Sequence, residues 1–216
     1  EPHAVRSMIY FDAGRREEAF AELDRALALD PTSSMVCRAA GNLYQRSGRL
    51  EEAVDAWRRA SEVDDTDFSA SGMLSDALWA SGDAEGARQG AARTLARVEA
   101  RVARDPDNGH ALGFGVIALG YLGQIDRAKE WIARALLINP DNNQMRYNFA
   151  CALATSMNDP DAAIEMMEEM LPRATLAIVN VAKADPDLDS IRDHPRFIAA
   201  LAAAEARLGT EATSAG

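Results

Sequence analysis

Three histidines, two cysteines and a surplus of carboxylates are the groups of this 216-residue chain that could do chemistry. A nucleophile needs a base within hydrogen-bonding reach, and a zinc site usually needs three or four ligands. His3, His110 and His194 lie far apart, and Cys37 and Cys151 form no Cys-x-x-Cys pair. No local constellation suits either chemistry. The acidic pairs Glu17-Glu18, Glu51-Glu52 and Glu168-Glu169 read as helix-start or solvated charges. Gly113-Phe114-Gly115 invites a nucleotide loop, but the dinucleotide fingerprint needs a preceding strand and a third glycine three residues on, and both are missing. The sequence therefore predicts no catalytic residue, no cofactor and no metal in this segment.

Net charge and composition narrow the partners. At a formal charge of -11, nonspecific attraction to nucleic acid or anionic lipid is disfavoured, and a basic or apolar protein surface fits better. The longest uncharged stretch, residues 108 to 125, carries five glycines and falls short of the about 20 apolar residues a membrane span needs. Two cysteines do not make a disulfide framework; they read as small packing residues in a reducing, cytoplasmic setting. Met166, Met167 and Met170 likewise read as core. Alanine, leucine, glutamate and arginine are abundant while valine, isoleucine and threonine are sparse, which favours an all-α chain.

Whatever these residues do, a repeat must position them. Gly14, Gly48 and Gly82 are 34 and 34 apart, Gly123 follows after 41 and Asn158 after 35. Five residues beyond each stands an alanine: Ala19, Ala53, Ala87, Ala128 and Ala163. Glycine or asparagine can take the left-handed conformation that ends one helix, and small alanines let two helices approach. Each unit is thus a helical hairpin, with units near 1–33, 34–67, 68–107, 108–141 and 142–171. First helices are predicted near 3–13, 34–47, 68–81, 108–122 and 142–157, and second helices near 16–29, 50–63, 84–104, 125–138 and 160–171. The third unit has seven extra residues, which advance a helix by about 700° and return its buried face nearly in phase. That predicts a longer second helix, either a tolerated length change or a protruding contact surface. Residues 172–208 are expected to cap the last hairpin, followed by a flexible tail at 209–216.

The pattern resembles the tetratricopeptide repeat family, through Gly41 with Tyr44 in a first helix and Ala53 with Trp57 in a second. The resemblance implies a right-handed α-solenoid of about five hairpins whose first helices line a concave face that receives an extended peptide or a partner helix. By register, the residues expected on that face are Met8, Phe11, Arg38, Asn42, Gln45, Arg46, Asp76, Trp79, Ile117, Tyr121 and Tyr147. Some members of the family grip a C-terminal carboxylate with basic residues from several units. Here the cations Arg38 and Arg46 belong to one unit, a departure from that pattern.

The ending "DPDLDSIRDHPRF", residues 185 to 197, resembles the C-terminal end of repeat regions attached to bacterial class III adenylate or guanylate cyclases. That resemblance implies a regulatory module of a signalling protein, docking on its own upstream catalytic domain, a second copy of the chain, or another protein. The opening at Glu1 without methionine is what a fragment would show, and on this reading the catalytic domain precedes it. The alternative is a free-standing adaptor with no enzyme attached.

Overall fold

A computed structural model of the chain describes residues 1–214, with side chains through residue 209. The described residues form twelve α-helices and no strand: α1 (Pro2–Asp12), α2 (Arg16–Leu29), α3 (Ser34–Arg46), α4 (Leu50–Val63), α5 (Phe68–Ala80), α6 (Ala84–Arg104), α7 (Gly109–Tyr121), α8 (Ile125–Ile138), α9 (Asn143–Ala154), α10 (Pro160–Met170), α11 (Leu176–Ala184) and α12 (Pro195–Ser214). Two short 3₁₀ turns, Leu171–Arg173 and Pro186–Leu188, punctuate the last part. The chain divides into two compact units, Glu1–Ala118 and the part from Leu119 onward, with the division inside α7.

The turns show why the 34-residue period exists. Gly14, Gly48, Gly82 and Gly123 have φ of +76°, +74°, +88° and +69°. In each turn the next residue's N–H returns to a carbonyl five residues back: Arg15 to Tyr10, Arg49 to Tyr44, Asp83 to Leu78 and Gln124 to Leu119, all at 2.9 Å. This satisfies helix-end carbonyls that have no partner within the helix. Asn158 takes the same role at φ +49°, but its turn is one residue longer, with the Asp159 N–H reaching Leu153 O at 2.8 Å. That longer turn ends α9 at Ala154, earlier than the sequence suggests.

Two of the turns carry a second device. Arg15 and Arg49 each lie over the ring of the tyrosine that closes the turn, 4.3 Å from Tyr10 and 4.5 Å from Tyr44, and pair with Glu18 and Glu52. The spacing Tyr-x-x-x-Gly-Arg-x-x-Glu is therefore one structural unit, used twice.

In the first compact unit the core runs through the hairpins. Ala4, Ala19, Leu23, Ala26, Val36 and Leu43 are at most 2% exposed in one cluster, and Ala53, Trp57, Ala60, Ala70 and Ala77 belong to the next. The marker alanines let the helices close to contact distance. Gly41 goes further, because a Cβ there would sit 2.5 Å from the Trp57 ring. Turn and core glycines should respond differently to substitution. Gly82→Ala meets no atom within 4 Å and should cost about 1 kcal/mol through its positive φ alone, whereas Gly41→Ala collides with Trp57 and should cost about 1–3 kcal/mol. Urea midpoints of the two variants check the order.

α6 has 21 residues where α2, α4 and α8 each have 14. Its buried residues Ala87, Ala91, Thr94 and Val98, with Val102 half-buried, continue one stripe through the insertion, so the face does return in phase. Arg97, within the added stretch, turns back to the preceding hairpin: its guanidinium donates to Ser61 Oγ at 2.9 Å, Asp67 O at 3.0 Å and Ser61 O at 3.2 Å. The extra length thus ties α6 to the α4–α5 connection.

Glu22 of α2 is a buried carboxylate at the centre of a charged cluster, 2.7 Å from His3 Nδ1, 2.8 Å from Arg6 Nε and 2.5 Å from Arg25 Nη1. The His3 bond first, and then Arg6, draw its pKa from an ordinary 4.5 to about 2. A depressed carboxylate contributes stability that is complete above pH 4.5 and is lost as pH falls toward 2. Glu22→Gln should remove that part of the acid sensitivity, read as a flatter plot of urea midpoint against pH across this window.

In the second unit, Ala128, Ala135, Ala163, Met167, Met170 and Leu171 are fully buried. The segment after Leu171 packs on this hairpin: α12 touches α10, and the 3₁₀ turn at Pro186–Leu188 touches α9. Leu188, Ile191 and Phe197 are at most 1% exposed. Arg192 ties the segment's own backbone, donating to Lys183 O and to Asp185 O. α12 continues to Ser214, into the stretch 209–216 expected as a tail; residues 215 and 216 of that stretch lie outside the described residues.

Candidate partner-binding face

The first helices of the first unit bring eight of the expected site residues onto α1, α3 and α5, and Ile117 onto α7. Several are already occupied. Arg38 pairs with Asp67, which also caps α5 by accepting the Ser69 and Ala70 N–H groups at 2.9 and 3.1 Å. Arg46 pairs with Asp12 at 2.7 Å and lies 4.6 Å from the Phe11 ring centre. Both cations of this face thus have an acid of their own chain beside them. Gln45 Oε1 accepts from Trp57 Nε1 at 2.8 Å, which makes it a support for the core. Asn42 Nδ2 donates to Arg38 O at 3.2 Å.

Phe11 is a correction. It is 8% exposed, packed edge-on to Phe20 with centroids 6.5 Å apart, because α2 and α3 close over this row at the start of the array. Met8, Asp76 and Ile117 are half-buried, and Trp79 is 37% exposed.

In the second unit Tyr121 is half-buried. Tyr147 is a second correction: it is 7% exposed and its hydroxyl donates to Asp185 Oδ2 at 2.6 Å, since the segment after α11 folds onto α9. Burial first, and then the Asp185 carboxylate, push its phenol well above the usual range. Cys151, Asp185 and Asp187 place one potential ligand atom each within 4.8 Å of one another, the group among the described residues that most resembles a cation site. Asp185 is committed to Tyr147 and to the Asp187 N–H at 3.0 Å, and burial holds the Cys151 thiol protonated. These contacts fasten the last helices to α9.

The sequence pattern does not reveal an aromatic ledge. Phe68 at the start of α5 and His110 and Phe114 on α7 lie with centroids 5.4, 5.7 and 5.2 Å apart, each in edge or tilted contact with the others. The Phe114 ring rests on Gly72, where a Cβ would stand 2.3 Å from it. All three rings remain partly accessible. Burial, and then the nearby Arg38, lower the His110 pKa, so the imidazole is neutral at pH 7. The face therefore offers an uncharged aromatic surface bordered by the Arg38–Asp67 pair. Such surfaces bind apolar and aromatic side chains, with the flanking charges setting orientation. The signal in the sequence is register: Phe68 and Gly109 are 41 residues apart, one lengthened repeat, which puts His110 and Phe114 beside it.

No helix among the described residues is long and apolar enough to cross a membrane. Comparison with curated proteins finds no sequence match. Tetratricopeptide repeat family models match residues 38–109, and 3–33 with 117–142. Among solved structures, TTC0263, a thermophilic TPR protein in Thermus thermophilus, is similar at a TM-score of 0.60 and 18% identity, covering 93% of this chain and 98% of that one. MamA 41-end from Desulfovibrio magneticus RS-1 follows at 0.51 and 18%, over 79% and 92%. YrrB, described as a TPR protein with an unusual peptide-binding site, matches at 0.50 and 20%, over 92% and 90%. With the positive-φ turns and buried marker alanines, these matches show that the chain belongs to the tetratricopeptide repeat family.

Proposed function

We propose that this chain is a non-catalytic protein-interaction module whose first unit takes an extended peptide across α3, α5 and α7. The accessible Phe68–His110–Phe114 ledge carries this reading, because three rings left partly open beside a charged pair form a ready pocket wall. An extended segment would lay an apolar or aromatic side chain on the rings and use Arg38 and Asp67 for register. The peptide-binding site described for YrrB supports this by analogy of fold. Peptides selected on the wild-type chain from a displayed random library should bind the Phe114→Ala variant about tenfold more weakly, a loss of about 1.4 kcal/mol. Equal affinity for wild type and Phe114→Ala would remove the ledge from the function.

The finer reading is that the module regulates a nucleotide cyclase carried on the same cytoplasmic polypeptide. It is supported by the ending at 185–197, although Leu188, Ile191, Arg192 and Phe197 of that stretch serve the cap and so speak to how the array is closed. Antibody capture of the native polypeptide tests it. A product far above 23.3 kDa with cyclase peptides supports it, and a product of this size leaves a free-standing adaptor.

A further inference from the structure

Arginines of the second helices are commonly matched within one turn: Arg25 with Glu22, Arg58 with Asp55 and Arg88 with Glu85. The later arginines of α6 are not. Arg93, Arg101 and Arg104 are exposed and pair with no carboxylate among the described residues. The half-buried Arg97 donates to Ser61 Oγ, Ser61 O and Asp67 O, all neutral oxygens. At about 100° and 1.5 Å per residue, these four side chains fall within about 80° of one face and span about 16 Å along it. The helix dipole accounts for Arg101 and Arg104 in the last turn, but not for Arg93 three turns before the end. In a chain of formal charge -11 the row is a local reversal of sign.

The row borders a groove of about 580 Å³ between α4, α5 and α6, whereas the equivalent groove between α2, α3 and α4 holds about 150 Å³. Two departures from the repeat open it. Thirteen residues after the turn glycine stand Leu27 and Leu136 in other hairpins, but Ser61 here. Four residues after the turn marker stand Glu52 and Ala162 elsewhere, but Gly86 here. Leu74 and Leu78 line the bottom, Arg93 and Arg97 the α6 wall, and Glu62 and Asp65 the wall across from it. The other two charges in the lining are already engaged: Arg58 pairs with Asp55, and Asp83 accepts the Gly86 N–H at 2.8 Å. One wall is thus basic and the other acidic, above an apolar floor.

We propose that this groove docks a helix of a partner protein that carries acidic residues along one flank of an apolar ridge. The ridge lies over Leu74 and Leu78, and acids three or four residues apart meet Arg93, Arg97, Arg101 and Arg104. The opposite flank, facing Glu62 and Asp65, is neutral or basic. The opposed walls also fix direction, because turning the helix end for end brings its acids against Glu62 and Asp65. The same acidic wall rejects nucleic acid and anionic lipid, which are negative on both sides. The two added turns of α6 extend the basic row, which gives the insertion a use. The site is independent of the peptide-binding reading, which rests on Phe68, His110 and Phe114.

Fluorescence anisotropy of the full chain tests this with a labelled helical peptide that carries glutamates on one flank of a leucine ridge and lysines on the other. The wild type should bind it, less tightly as salt rises. A chain carrying both Arg93→Gln and Arg101→Gln should bind about tenfold more weakly. Its circular dichroism should match the wild type, because both side chains are exposed. Arg88→Gln, which removes the same charge about 140° round the helix from Arg93, should bind as the wild type does, and so should Phe114→Ala. A peptide with glutamates on both flanks, and a duplex DNA oligonucleotide, should each bind at least about tenfold more weakly than the first peptide. Absence of binding at low ionic strength, or equal affinity for the wild type and the double variant, would overturn the proposal. So would an equal loss in Phe114→Ala or Arg88→Gln, or binding of the DNA or the doubly acidic peptide as tight as that of the first.

Discussion

Trp57→Ala should lower the unfolding free energy by about 3–5 kcal/mol, the range for removing a large buried aromatic. Trp57 is 1% exposed, its ring fits against Gly41, and its indole N–H is held by Gln45 at 2.8 Å. Truncation leaves a cavity that Gly41 has no side chain to fill and strands the Gln45 amide. Two further variants separate the contributions. Trp57→Phe keeps most of the volume and should lose less, while Gln45→Ala keeps the ring but orphans a buried donor, at about 1–3 kcal/mol. Urea unfolding of the three should rank alanine at 57 as most damaging. A loss under about 1 kcal/mol for Trp57→Ala would mean that the ring is not the keystone between α3 and α4.

Phe197→Ala should be comparably severe, at about 3–5 kcal/mol, in the second unit. Phe197 is fully buried near the start of α12, which packs on α10 and on the turn after it. Met167, Met170 and Leu171 are also fully buried in that region. Loosening α12 would expose them as an apolar face, so binding of a hydrophobic dye should rise before global unfolding. Phe197→Leu, closer in volume, should keep α12 in place and bind little dye. Dye binding that is unchanged in Phe197→Ala would show that α12 is not what shields these methionines.

The regular part of the fold is legible because it depends on local rules. A positive φ demands glycine or asparagine, and close helix approach demands alanine, so five turns and five seams leave a period in the sequence. The lengthened α6 is legible for the same reason, as helix pitch alone fixes its phase. The face is harder to read. Register gives Arg38 and Arg46 their helices, but their partners Asp67 and Asp12 lie 29 and 34 residues away, and only the folded chain shows those charges engaged. Tyr147 looks like its neighbours in register until the segment carrying Asp185, 38 residues on, closes over it. The ledge depends on an absence, the missing side chain of Gly72 that lets Phe114 settle beside Phe68. The boundary expected at residue 208 misleads in the other direction: glycine commonly ends a helix, yet α12 runs on through Gly209 to Ser214.

The length of α6 also carries a rule for how such a chain can change. Seven added residues leave the stripe from Ala87 to Val102 on one side of the helix, about 20° from where it would otherwise lie. One added residue would rotate everything beyond it by about 100° and three by about 300°, carrying buried alanines into water. Insertions and deletions in these helices therefore keep the buried face on one side only when they come close to whole turns, about seven, eleven or eighteen residues, and homologues whose helices differ in length should differ by such steps.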